Sequence, residues 1–358
     1  MSAEPTGLDP EVVRARVLID AGRCDEARVL LQTSLAREPD DGGLWCLLAL
    51  CMVRLDQPGE AISAARRAAA LEPAEEWPHR LASIAYCAQR DYANATAAAR
   101  EAVRREPSLW QTHAQLALAT HELKDRASLD EAWQAASYAT SLAPNEAESH
   151  FVMGVVAQER GQNAIAESAY HKVLSLDPNH AAAMNNLGLV QLRRGKIHEA
   201  TEGFTSSLRS DPRLDVARAN VESVGWRLMT FAYYIAFGGF WILRILVTTY
   251  ADQGALGYGL RAAVGAALLA VWVVLGVKMI GGLPATARGY LFSLPRRNLG
   301  FALMSLGVSV CVLGSMFGAF APASLAMYGL YVAIVAIFVS FVTSWVVTIR
   351  AWRARKSR

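Results

Sequence analysis

The long apolar runs of this chain lack acidic residues: near 228–250, 260–280, 299–320 and 325–349 there is no Asp and no Glu. A pathway for protons or coupled ions ordinarily places acidic groups near the membrane midplane, so a coupled transporter is not expected. Cysteine is scarce as well, with Cys24, Cys46, Cys51, Cys87 and Cys311 and no CxxC pair among them. The nearest two, Cys46 and Cys51, are five apart and face different ways on a helix, which argues for small buried residues in a reducing compartment rather than a metal site. No nucleophile motif, HExxH helix or glycine-rich phosphate loop after a strand occurs, and strand signal is weak throughout. Neither an enzyme nor a cofactor site is expected. Gly254, Gly257 and Gly259 read as turn material between two apolar runs. The net charge of +3 is small, and the arginines flank the apolar runs, where lipid headgroups account for them more simply than nucleic acid.

What is present is a period. Pro39, Pro73, Pro107, Pro144, Pro178 and Pro212 fall at intervals of 34, 34, 37, 34 and 34 residues, and twelve residues before each stands an alanine: Ala27, Ala61, Ala95, Ala132, Ala166 and Ala200. A fixed period of this length means one supersecondary unit stacked repeatedly, each burying a face that it cannot bury alone. Small residues are required where two antiparallel helices approach most closely. Proline then stops the second helix, because it lacks the amide hydrogen of an interior helical position.

The residues at these positions resemble the tetratricopeptide repeat: Trp45, Leu48, Ala61, Ala68 and Pro73 in the second unit, Gly154, Ala166, Tyr170 and Pro178 in the fifth, and Leu187, Gly188, Ala200, Phe204 and Pro212 in the sixth. The expected fold is all-α, a solenoid of six helical hairpins over 8–41, 42–75, 76–109, 110–146, 147–180 and 181–213. The first unit departs from the pattern, with Glu11, Arg14 and Ala15 at its tryptophan, leucine and glycine positions, as suits a polar end repeat. The fourth is three residues too long. Since Ala132 and Pro144 keep their spacing, the insertion is expected between Glu122 and Glu131, in the turn between the helices.

Beyond Pro212 the composition changes, and each of the four apolar runs is long enough to cross about 30 Å of hydrocarbon as a helix of roughly 20 residues. A four-helix transmembrane domain over 227–358 is expected, joined to the repeats by a capping helix at 214–226 with an apolar face of Ala217, Val221 and Val224. Cationic residues cluster before the first span (Arg209, Arg213, Arg218, Arg227), in the second loop (Lys278, Arg288, Arg296, Arg297) and at the tail (Arg350 to Arg358). That asymmetry places the repeats and both termini in the cytoplasm. Met1 to Asp20 has no apolar core of a signal peptide, and the arginine and alanine richness suits a bacterial inner membrane. Arg244 and Lys278 lie near span ends, where long cationic side chains reach the headgroups. Gly281 to Asn298, with Pro284 and Pro295, is expected at the cytoplasmic interface. Gly314 and Gly318 in the third span, and Ala262, Ala266 and Ala270 in the second, are spaced for close helix packing, either within the bundle or in a homo-oligomer.

The resemblance implies that the first helix of each hairpin lines a concave, partner-binding surface. The positions so placed are Cys46, Leu50, Val53 and Arg54; Trp77, Arg80 and Ile84; Leu118 and Glu122; Phe151, Val155 and Glu159; and Asn185, Leu189 and Arg193. This is an apolar floor with charged margins, suited to an extended peptide or an amphipathic helix, unless some of the apolar residues serve only to close the solenoid. Some members of the family bind acidic chaperone C-termini through lysines and asparagines, and that cluster is missing here. His79, His113 and His150 share the fourth position of successive repeats with Trp45 and Met184, and are assigned to packing. The expected function is a membrane-anchored scaffold that binds a protein partner. A subunit of a small channel or transporter is the alternative.

Overall fold

The computed structural model describes residues 10–250 and 254–356. Residues 8 and 9 of the first repeat, and Arg358 of the cationic tail, lie outside the described residues. Among the described residues there is no strand, and the chain divides into two compact units, Met1–Val190 and Gln191–Arg358.

In the first unit each repeat supplies two helices. They are α1 (Pro10–Asp20) and α2 (Cys24–Arg37), α3 (Gly42–Arg54) and α4 (Pro58–Leu71), α5 (Trp77–Ala88) and α6 (Tyr92–Arg105), α7 (Trp110–Thr120) and α8 (Arg126–Leu142), and α9 (Ala147–Glu159) and α10 (Asn163–Leu176). The sixth repeat supplies α11 (Ala181–Arg193) and α12 (Ile197–Ser210). Asp41 and Asp91 start α3 and α6 by accepting the Leu44 and Asn94 amides at 2.9 and 3.2 Å, which satisfies N–H groups that have no partner within the helix. The six alanines of the period are all completely buried. At Gly154 a Cβ would stand 2.5 Å from the ring of Tyr170, so only glycine lets α9 approach α10 so closely.

A second column runs through the turns inside the hairpins. Gly22, Asp56, Arg90, Lys124, Gly161 and Gly195 all have φ between 56° and 77°. The amide after the turn residue reaches back to close the helix, Gln57 to Met52 O, Asp91 to Tyr86 O and Gln162 to Ala157 O, each at 2.9 Å. This is the Schellman closure that glycine fits best. The insertion in the fourth repeat takes a different form from the one expected. A 3-10 turn (His121–Leu123) and Lys124 make the connection, and the extra residues lengthen α8, which has 17 residues where α4, α6 and α10 have 14. Asp125 starts this added helical turn by accepting the Ser128 amide at 3.0 Å.

In the second unit, α13 (Asp215–Thr249) runs 35 residues without a break, about 52 Å at 1.5 Å per residue, and α12 packs against it. Ala217, Val221 and Val224 form its buried N-terminal face. α14 (Gly254–Gly281), α16 (Leu299–Phe320) and α17 (Ala323–Lys356) follow, with α15 (Ala285–Arg297) between α14 and α16. The stretch with Pro284 and Pro295 is therefore helical. Pro284 stands at the N-cap and Pro295 in the last turn. Among the described residues four helices are long and apolar enough to cross a membrane, and only 11% of the most apolar part of α14 and 39% of that of α16 is covered within the chain.

The tightest packing here is the hairpin of α16 and α17. A Cβ on Gly314 would lie 2.7 Å from the carbonyl of Gly329, and one on Gly318 would lie 3.2 Å from Leu330. Both glycines are buried in this seam. Of the two uses expected for these glycines, packing within the bundle is the one present here, against α17.

The turn column carries a measurable strain. The left-handed region costs a residue with a Cβ roughly 1–2 kcal/mol, and glycine gives back about 0.4–1 kcal/mol through the entropy of the unfolded chain. Arg90→Gly should therefore raise the stability of the repeats by about 0.5–1 kcal/mol, seen as a higher urea midpoint. A lower midpoint would show that the Arg90 side chain contributes more than its backbone costs.

Candidate functional site

The curvature of the first unit follows from which helices meet. Each first helix touches the first helix of the next repeat (α1 with α3, α3 with α5, α5 with α7, α7 with α9), while the second helices make no contact of that extent. The first helices therefore form the inner row. Along it, Leu50, Val53, Trp77, Ile84, Leu118, Phe151, Val155 and Leu189 are half-buried, and Leu50, Val53, Trp77, Leu118 and Phe151 pack against the buried core.

Other expected positions sit differently. Cys46 and Asn185 are buried, 1% and 4% exposed, and lie beneath the inner surface rather than on it. Burial pushes the Cys46 thiol up to about 12, with Glu72 adding to the shift, and the Cys87 thiol is likewise pushed up to about 11. Both are un-ionised at neutral pH, with the reactivity of ordinary buried thiols. Arg80 is held in a two-pronged pair with Glu76 at 2.9 and 3.0 Å, and Arg54 donates to the Ile19 carbonyl at 3.0 Å. Both charges are thus committed within the solenoid. Trp77 lies under the Arg16 guanidinium, 5.9 Å from its ring centre. Phe151 stacks on His180 at 4.9 Å and leans on Tyr170 at 6.0 Å, so part of its surface serves packing within the fifth repeat. Glu159 is exposed and Glu122 half-buried, 3.7 Å from His121. Arg193 is exposed and belongs to the second unit. Between α5 and α7 the buried Gln115 donates to Ser83 at 2.9 Å, a polar tie that the apolar pattern did not reveal.

The fourth-position column has a hydrogen-bonding reason. Trp45 Nε1 donates to Pro39 O at 2.8 Å, and His113 and His150 place Nε2 at 2.8 and 2.9 Å from Pro107 O and Pro144 O, six residues back in each case. A ring N–H there satisfies the carbonyl of the closing proline. Tryptophan and histidine share that group, which explains their interchange. His79 departs from the rule: its Nε2 is buried without a hydrogen-bond partner.

Models of the tetratricopeptide repeat match residues 18–84 and 151–213. The unmatched stretch contains the lengthened fourth repeat. No curated protein matches the chain. Among solved structures, a tetratricopeptide repeat protein from Parabacteroides merdae is 14% identical, with a TM-score of 0.52, covering 60% of this chain and 82% of that one. The APC/C hetero-tetramer Cut9–Hcn1 contains a chain 18% identical with the same TM-score, covering 60% of this chain and 42% of that one. A thermophilic TPR protein of Thermus thermophilus is 19% identical at a TM-score of 0.48, covering 51% and 98%. The N-terminal half of this chain is a TPR-like solenoid in which residues 18–84 and 151–213 match tetratricopeptide repeats, a class that generally mediates protein–protein interaction.

His79 supplies a pH test. Burial holds its pKa below the usual histidine value. The unfolded chain then takes up a proton more readily than the folded one, so stability is complete above about pH 6.5 and falls as pH drops through the lowered folded value. His79→Trp, which copies Trp45 and cannot be protonated, should flatten the acid limb of stability against pH below about 6.5. An unchanged acid limb would assign the loss to other groups.

Proposed function

We propose that this chain is a membrane-anchored scaffold whose repeats bind a partner protein on the cytoplasmic side. The observation that carries the reading is the inner row of half-buried apolar side chains, Leu50 and Val53 through Leu118 to Val155, with Glu122 and Glu159 at its margin. Such a row offers an amphipathic helix or extended peptide apolar burial, and charges to set its register. Anchoring draws on the four long apolar helices and on the large side chains that stand exposed along them, such as Val277 at 66%, Leu313 at 68% and Phe338 at 67%. Apolar surface on that scale is stable in lipid and not in water. The cytoplasmic side draws on the clustering of Arg and Lys around 209–227 and 278–297. A protein-binding role requires no catalytic group.

A second reading, a channel or transporter subunit, is favoured by one observation. Arg261 is 3% exposed, with Nε and Nη1 lacking hydrogen-bond partners among the described residues and the Tyr258 ring 5.8 Å away. A buried cation without a counter-charge is costly, and a passing anion would relieve it. Chloride flux into proteoliposomes no faster than into empty liposomes removes this reading.

For the scaffold, the test is capture of a partner by residues 1–213 and its loss on substitution. Leu118→Ala and Val155→Ala, chosen because neither ring stacking nor an ion pair holds them, should each weaken capture by about 1–3 kcal/mol with the unfolding midpoint little changed. If both lower the midpoint and leave capture per folded molecule intact, the inner row is solenoid packing and the binding surface lies elsewhere.

A further inference from the structure

A cavity of about 350 Å³ lies among α13, α14, α15 and α16, in the range of small-ligand sites. Along α13 it reaches from Gly225 to Ile235, and along α14 from Ile280 back to Trp272. Ten helical residues rise about 15 Å, so this is a slot running along the helix axes for half of the roughly 30 Å hydrocarbon thickness. Its depth is that of one leaflet.

The walls are apolar apart from two hydroxyls, Arg288 and the Trp272 indole N–H, which is buried without a hydrogen-bond partner among the described residues. The two hydroxyls among them, Ser305 and Ser309, each donate at 2.8 Å to a carbonyl of their own helix, which commits their protons. Charge stands at one end only. Arg288 of α15 lines the slot there, no acidic residue lines it, and Arg288 makes no ion pair among the described residues. The acidic group facing this helix, Glu222, accepts a hydrogen bond from Tyr290 at 3.1 Å, and the Arg297 guanidinium lies 5.6 Å from the centre of that tyrosine ring. Gly225 lets α15 close the same end, since a Cβ there would meet Leu291 at 2.8 Å.

We infer that this slot takes one acyl chain of an anionic phospholipid from the cytoplasmic leaflet, with the headgroup phosphate on Arg288. The inference rests on the membrane reading above. A straight apolar slot one leaflet deep fits an extended hydrocarbon chain, and an unpaired guanidinium at its interfacial end complements a phosphate. α15 then joins the bilayer surface to the start of α13, through the lipid as well as through Tyr290 and Glu222.

The test uses the full chain, delipidated in non-ionic detergent and titrated with dioleoyl phosphatidylglycerol or dioleoyl phosphatidylcholine, with bound lipid counted by native mass spectrometry. One phosphatidylglycerol should be retained about five-fold more tightly than phosphatidylcholine, the worth of one arginine near an anionic surface. Arg288→Gln should abolish that preference. Gly276→Phe, which projects into the slot where a Cβ meets no atom within 4 Å, should reduce retention of both lipids. Val277→Phe, on the exposed face, should change neither. Equal retention of the two lipids by the wild type, or a preference that survives both Arg288→Gln and a folded Gly276→Phe, overturns the inference. If Gly276→Phe fails to fold, Arg288→Gln decides alone. A chain that stays soluble without detergent and floats with no vesicle would refute the membrane reading instead.

Discussion

Close approach of helices at small residues is the constraint on which both halves of the chain depend. In the solenoid it is met by alanine: Ala27, Ala61, Ala95, Ala132, Ala166 and Ala200 are wholly buried where the two helices of a hairpin cross. In the second unit it is met by glycine, with Gly314 and Gly329 so close that a Cβ on either would lie 2.7 Å from the carbonyl of the other. The difference follows from what drives association. Water expels larger side chains into the solenoid core, so alanine at the crossing suffices. Between apolar helices in lipid that force is weak, and backbone contact has to replace it.

The same contrast decides where apolar surface is left over. In the solenoid the inner row keeps the outer atoms of Leu118 and Val155 at the surface, and elsewhere single apolar residues such as Val29, Tyr138 and Ile165 stand exposed on the second helices. On α13, α14, α16 and α17 large apolar side chains stand exposed, as the proposed membrane anchoring requires. Within the second unit α13 runs unbroken through Gly225, a glycine placed so that α15 can close against it. α12, α13 and α15 pack on one another. The second helix of the sixth repeat therefore belongs structurally with the apolar helices that follow.

Much of the fold was legible because it is periodic. Alanine and proline, locked twelve residues apart, report the crossing point and the end of each second helix, and no local irregularity erases a signal repeated six times. What stayed hidden depends on atoms rather than residue classes. The fourth-position column looked arbitrary as Trp45, His113 and His150, because their shared property is a ring nitrogen aimed at a proline carbonyl, a contact that His79 does not make. The left-handed turns are announced by Gly22, Gly161 and Gly195, but Asp56, Arg90 and Lys124 adopt the same φ under constraint from the hairpin. The insertion was located correctly along the chain, yet it became helix, since Asp125 can cap and Arg126 to Leu129 can continue α8. On the inner surface, counting from the register could not tell that Cys46 and Asn185 sink below it, or that Arg54 and Arg80 are spent on Ile19 and Glu76.

The central claim is that the chain crosses the membrane and holds its repeats on the cytoplasmic face. Labelling of single cysteines by a membrane-impermeant maleimide, in intact bacterial spheroplasts and in broken membranes, tests it directly. Glu159→Cys, exposed on α9, should react only after the membrane is broken, whereas Gly259→Cys, exposed at the start of α14, should react in both. Labelling of Glu159→Cys in intact spheroplasts, or release of the whole chain from membranes by alkaline carbonate, would contradict the account.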